Sequence, residues 1–203
     1  MTGQDLIHKY VDLWKSATLH PFIEGIRSGS MPEETFNSWL AQVYHFVREA
    51  IQAQARILAQ APREDLELLA DGLRSVVAEL SWLENRAQER GISLDIPLCP
   101  IVRAQNDFLQ SITYKAYPHQ ITVLWALERS YLEAWKTTLP GNPTYQEFIE
   151  HWTTFDDYVE ALEAATNREL AKTEESVSEL FYWATWYMTK FWQMGYEGER
   201  LSA

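Results

Sequence analysis

Cys99 is the only cysteine in the sequence and stands at the start of a predicted helix. There, aligned amide dipoles could lower its pKa and make it a nucleophile. No histidine lies near it in sequence to serve as base, so a packed or loop cysteine is the simpler reading. His151 has Glu147 four residues earlier on one helical face. That spacing suits a pair of metal ligands or, more simply, a surface hydrogen bond or ion pair. A di-iron bundle needs Glu-x-x-His on two helices and two further glutamates. Asp5-x-x-His8 is the nearest approach and occurs once, so neither a metal centre nor a cofactor is expected. Glu79 and Glu133 are different, because each lies within an apolar helical pattern: Val76 and Leu83 flank the first, Ala126 and Leu132 the second. Both are expected to face inward. There they would either pair with an arginine such as Arg103 or Arg129 or stay available for chemistry.

Other chemistries leave signatures that this sequence lacks. It has no Gly-rich phosphate loop, no G-x-S-x-G, no H-E-x-x-H and no dinucleotide fingerprint. A net charge of −12, spread along the chain, repels phosphate backbones and anionic lipid. Nucleic acid is therefore not an expected partner. The first residues carry charge early and lack an apolar signal core. No run reaches the roughly 18 apolar residues a membrane helix needs, and a cytoplasmic protein is expected. Nine Trp and ten Tyr exceed what a core of this size requires. Rings with a polar handle suit a pocket for a flat ligand, or an oligomer interface.

Nearly every segment that must position these residues reads with helical period. Leu6, Tyr10, Leu13, Trp14 and Ala17 make one apolar face. His20-Pro21 restarts the chain, because the residue before a proline is pushed out of the helical region. Gly29 suits a helix end, and Ser30 with Glu33 has capping-box spacing ahead of a helix from about Pro32 to Ala61. Further helices are expected from about Arg63 to Arg90, Pro100 to Tyr117, His119 to Leu139, Pro143 to Lys172, and onward to about Tyr196. Alternating strand patterns are nearly absent. The expectation is an all-α chain, a single helical domain over residues 1–203 built as one bundle of about seven or eight helices.

The stretch HPFIEGIRSGSMPEETFNSWLAQVYHF, from His20 to Phe46, resembles the N-terminal signature of the TenA/THI-4 (thiaminase II) family, related to PqqC and the haem-oxygenase-like bundles. Ala78-Glu79-Leu80, Tyr131 with Glu133, PGNPTYQEFIEHW and the C-terminal KFWQMGY extend the likeness along nearly the whole chain. The resemblance implies a haem-oxygenase-like fold, a homo-oligomer (dimer or tetramer) and a pyrimidine-like ligand. In thiaminase II an aspartate holds the aminopyrimidine, a cysteine thiolate attacks it and a glutamate acts as acid and base. Laid along this chain, those positions carry Val43, Leu127 and Met188. No thiolate and no carboxylate stands there, so the cysteine route is not expected.

The same family has a cysteine-free branch that relies on glutamates, for which Glu79, Glu84, Glu128 and Glu133 are the candidates and Glu79 and Glu133 the preferred pair. Phe46, Tyr131 and Trp152 fall where the family places the rings that sandwich its pyrimidine, and Tyr44 and Tyr187 adjoin the altered positions. The sequence thus implies a TenA-like protein with an aromatic-lined pocket for a small flat heterocycle. Its function would be cysteine-independent aminopyrimidine salvage in thiamine metabolism, by hydrolysis of a pyrimidine C–N bond. The alternatives are a non-catalytic ligand-binding protein that kept the rings, or an oxygen- or cofactor-dependent PqqC-like enzyme. Only His45 and His151 are placed to help that last chemistry.

Overall fold

The computed structural model describes residues 1–172 and 177–198 of the chain. Among them the regular structure is entirely helical. In chain order the α-helices are α1 (Gly3–Lys9), α2 (Val11–Thr18), α3 (Pro21–Ser28), α4 (Glu33–Gln60), α5 (Leu66–Arg90), α6 (Pro100–Ile112), α7 (Tyr117–Lys136), α8 (Gln146–Trp152), α9 (Asp156–Leu170) and α10 (Ser178–Glu197). Short 3-10 turns at Arg63–Asp65 and Pro143–Tyr145 lead into α5 and α8. Two compact units result among the described residues: 1–31 with those of 116–193, and 32–115 with 194–198.

The first unit is organised around α7. Ile121, Val123, Trp125, Ala134 and Trp135 are fully buried there, and Leu124, Ala126 and Leu132 nearly so. A helix apolar on most of its circumference belongs inside a bundle, and α2, α8 and α9 pack against it. Trp14 of α2 stacks on Trp125 (centroids 6.5 Å apart, 19° between planes) and on Phe181 (5.6 Å, 11°). Gly3 lies so close to the Trp125 ring that a Cβ would collide with it, and its amide donates to Asn167 Oδ1 at 2.8 Å.

His20 caps α3: its Nδ1 accepts from the Phe22 amide at 3.1 Å, while Nε2 faces Gln193 Oε1 at 3.0 Å. That arrangement selects the neutral tautomer with its proton on Nε2. Gly29 then ends α3 in the left-handed region (φ 76°), which a glycine enters without cost.

In the second unit α5 and α6 both pack on α4. Gln42 of α4 is a clamp: its Nε2 donates to the Pro97 carbonyl at 3.0 Å and its Oε1 accepts from the Cys99 amide at 3.1 Å. Further along, Gln110 Nε2 donates to the Glu49 carbonyl at 3.0 Å, and Gln60 Nε2 donates to the Thr113 carbonyl at 2.9 Å. These ties run in the same order on both helices, so α4 and α6 are parallel.

The boundaries differ from expectation in several places. α6 stops at Ile112, and Tyr117 with Pro118 opens α7 instead of closing α6. Three further differences trace to particular side chains. The first apolar face is split at Tyr10 (φ −116°) into α1 and α2. Tyr10 stacks on Phe181 and its hydroxyl lies 2.8 Å from Ser178 Oγ, contacts far away in sequence. The helix expected from Pro143 to Lys172 is interrupted at Thr153–Phe155. The Thr153 hydroxyl donates to the Ile149 carbonyl at 2.7 Å, and two aspartates open α9. Third, Ser30 does not cap α4: Pro32 is the cap residue, without a side-chain bond, and the Ser30 hydroxyl pairs with Ser28 Oγ at 2.9 Å.

Candidate functional site

In the first unit, α7 carries Leu127, Tyr131 and Glu133, α8 carries Trp152, and α10 carries Tyr187 and Met188. Leu127 and Met188 are buried, 6% and 4% exposed. Both fill apolar space, and neither can donate or take a proton. Tyr131 and Trp152 are brought together, centroids 5.8 Å apart and nearly perpendicular (77°). They belong to a continuous ring array: Tyr131 stacks on Trp192 (5.5 Å, 19°), and Trp152 meets Trp135 at 4.5 Å. Tyr187 lies edge-on to Trp186 (5.1 Å) and 6.4 Å from Trp183.

Glu133 is half-buried and doubly held. Its Oε1 accepts from Arg129 Nε at 2.6 Å and its Oε2 from Trp14 Nε1 at 2.8 Å. Arg129 also reaches Glu163 Oε2 at 3.3 Å, and Gln4 Nε2 donates to Glu163 Oε1 at 3.0 Å. Of the two arginines considered from sequence, Arg129 is the partner, and Arg103 lies exposed on α6. Charge-assisted bonds of this length fix the carboxylate in place. Glu128, next to Leu127, raises the pKa of Tyr158 by its charge. Burial is the larger cause, and together they hold that phenol well above the ordinary tyrosine range.

In the second unit, α4 carries Val43, Tyr44 and Phe46, and α5 carries Glu79 and Glu84. Val43 is buried, 4% exposed, while Tyr44, Phe46 and Glu79 are half-buried. Glu79 therefore turns partly inward, with Leu83 of the same face buried. The Tyr44 hydroxyl donates to Glu84 Oε1 at a long 3.5 Å, and the Arg48 guanidinium lies over its ring at 5.8 Å. His45 has its pKa lowered, first by burial and then by Arg48, although a hydrogen bond with the Leu94 backbone and the charge of Asp95 oppose this. Cys99 is buried, caps α6 and is held through its amide by Gln42. His151 and Glu147 share α8, His151 half-buried and Glu147 exposed. No group of three or more His, Cys, Asp or Glu that could hold a metal ion occurs among the described residues, and no helix among them is long and apolar enough to cross a membrane.

Several residues here escaped the sequence reading. Trp14 was assigned only to an apolar face, yet its indole N–H fixes Glu133. Gln42, one of several polar residues in a long helix, drew no reading from the sequence. Gln105 and Asn106 share the spacing of Val102, Leu109 and Ile112, the buried face of α6. That spacing was available in the sequence and would have marked them as buried amides.

The TENA/THI-4/PQQC family model matches residues 7–198. A soybean (Glycine max) protein named "Probable bifunctional TENA-E protein" is 31% identical over 184 residues, covering 83% of this chain and 80% of its own length. The crystal structure of a TenA homologue from Pyrococcus furiosus superposes with a TM-score of 0.91 at 28% identity, covering 97% of this chain and all of that one. A TenA homologue from P. horikoshii does so with a TM-score of 0.85 at 22% identity, over 98% and 100% of the two chains, which speaks to the fold alone. The helical fold is therefore haem-oxygenase-like, and the chain belongs to the TENA/THI-4/PQQC family.

Proposed function

We propose that this protein binds a small flat aminopyrimidine-like heterocycle and hydrolyses its exocyclic C–N bond without a cysteine nucleophile, as a step of thiamine salvage. The observation that carries this reading is the family match, taken with the chemistry of the chain's own residues. The only cysteine is buried at the start of α6, and the position expected for the thiolate holds Leu127. A member of this family with no thiol there must rely on carboxylates for proton transfer. Glu79 of the second unit and Glu133 of the first are the residues proposed for it, each as a candidate in its own right. In the first unit, Tyr131 and Trp152 are proposed to bind the ring by its faces and edges, with Tyr187 as a further aromatic contact and Leu127 and Met188 as apolar lining; Phe46, Tyr44 and Val43 are the candidates that the second unit offers. A dimer or tetramer and a cytoplasmic setting complete the proposal.

One observation favours a second reading. Both oxygens of Glu133 are engaged, by Arg129 and by Trp14, and a carboxylate so held is a poor proton shuttle. A ligand-binding protein that performs no hydrolysis accounts for that arrangement directly. Turnover of an aminopyrimidine with a hydrolysable side group separates the two. Hydrolysis by the wild type that falls at least 100-fold in Glu79→Gln and in Glu133→Gln supports the enzyme, general acid–base catalysis being worth about 100- to 10,000-fold. Binding without hydrolysis supports the second reading. Full activity in both variants removes the two glutamates from the mechanism.

A further inference from the structure

The outward side of α10 carries a stripe of charge and indole that is complementary to itself. Glu179, Trp183, Trp186 and Lys190 follow one another at steps of four, three and four residues, the spacing of a seam between two packed helices. Glu179 and Lys190 are exposed and Trp186 is half-buried, while Trp183 is 38% exposed. The other side of the same helix is buried through Phe181, Ala184, Thr185 and Met188. The two indoles stand edge-on, centroids 5.6 Å apart at 79°. Lys190 Nζ lies 5.6 Å from the centre of the Trp186 ring, which holds the cation at the end of the stripe. Two large rings left in water forgo the burial that such rings supply inside the chain, and a surface that covers them regains it.

The order of the four residues selects the partner. From one end the stripe runs acid, indole, indole, base, and from the other it runs base, indole, indole, acid. A second copy of α10 laid antiparallel across a two-fold axis therefore sets Glu179 against the partner's Lys190 at both ends. Between them, Trp183 of each copy meets the partner's Trp186. A two-fold contact requires one patch to complement itself, and antiparallel pairing meets that requirement where parallel pairing would set like charge on like. The net charge of −12 makes two copies repel in most orientations, so a face that brings opposite charges together stands apart. We infer that this stripe of α10 is a contact surface between two copies of the chain, with the indoles at its centre and an ion pair at each end. The inference rests on the dimer or tetramer of the proposed function and names the surface and register that build it.

The test is sedimentation velocity over a dilution series, with the circular-dichroism spectrum of each protein as a check on its helices. Wild type is compared with Glu179→Lys, Lys190→Glu, the double variant carrying both changes, and Trp183→Ser. Each single reversal sets like charges together at both ends of the seam and should raise the dissociation constant at least about tenfold. The double variant exchanges the two charges and restores both pairs, so its dissociation constant should return close to that of wild type. Trp183→Ser should raise it at least about 30-fold, as loss of a central interface tryptophan does. An oligomer indifferent to both single reversals overturns this inference alone, as does a double variant no tighter than the single ones. A wild type that stays monomeric throughout overturns the proposed dimer or tetramer, and this inference with it, while the heterocycle reading stands.

Discussion

At the scale of single residues, the chain separates groups that hold structure from groups still able to act. Glu133 read in sequence as an inward carboxylate that would either pair with an arginine such as Arg129 or stay available, and the structure pairs it with Arg129. The indole of Trp14, distant in sequence, was not legible there. Val43, Leu127 and Met188 read as apolar replacements, and all three are buried. His20 read as a break before a proline, but it is a cap held on both ring nitrogens. His45 gives a residue-scale prediction about pH. Burial lowers its pKa from the ordinary 6.5, so the unfolded chain binds the proton more readily than the folded one. Its contribution to stability is fully present above pH 6.5 and is lost as pH falls from there through the folded-state pKa. Urea unfolding at pH 8 and pH 5.5 should show a larger acid loss for wild type than for His45→Gln. Equal losses would mean that the histidine titrates alike in both states.

At the scale of elements, a clamp from one helix sets the approach to another. Gln42 bonds both Pro97 and Cys99, so Gln42→Ala should free the segment leading into α6. Losing bonds to buried backbone groups costs about 1–3 kcal/mol. Reaction of Cys99 with a thiol reagent should then speed up roughly tenfold or more, a factor of ten being about 1.4 kcal/mol. An unchanged rate would place the opening that exposes Cys99 elsewhere. Local chemistry made most elements legible: Pro62 separates α4 from α5, Gly91 ends α5 in the left-handed region, and His20-Pro21 opens α3. The break at Tyr10 has no such marker, because its ring is drawn to Phe181 and its hydroxyl to Ser178. The break at Thr153 is signalled only weakly, by two threonines ahead of two aspartates. Cap chemistry misled at Ser30, whose hydroxyl turns back to Ser28 instead of reaching α4.

At the scale of the whole molecule, the family match from residue 7 to residue 198 agrees with what the opening stretch and the later motifs implied. The fold was legible because helical period and punctuation recur along the entire chain. The site was legible only as a set of positions, since the pairing of Glu133 with Trp14 depends on a contact that no local pattern records. The net charge of −12 speaks against direct contact with nucleic acid. The central claim is therefore a small heterocyclic ligand. Thermal shift against aminopyrimidines, hydroxypyrimidines, flat quinones, haem and ferrous iron tests it most directly. A ligand at a hundredfold excess over its Kd adds about 2.7 kcal/mol, which for a chain of this length raises the melting temperature by roughly 5–10 °C. The account predicts that rise with aminopyrimidines and none with quinones, haem or iron. A rise only with quinone, haem or iron, or none with any compound, would contradict it.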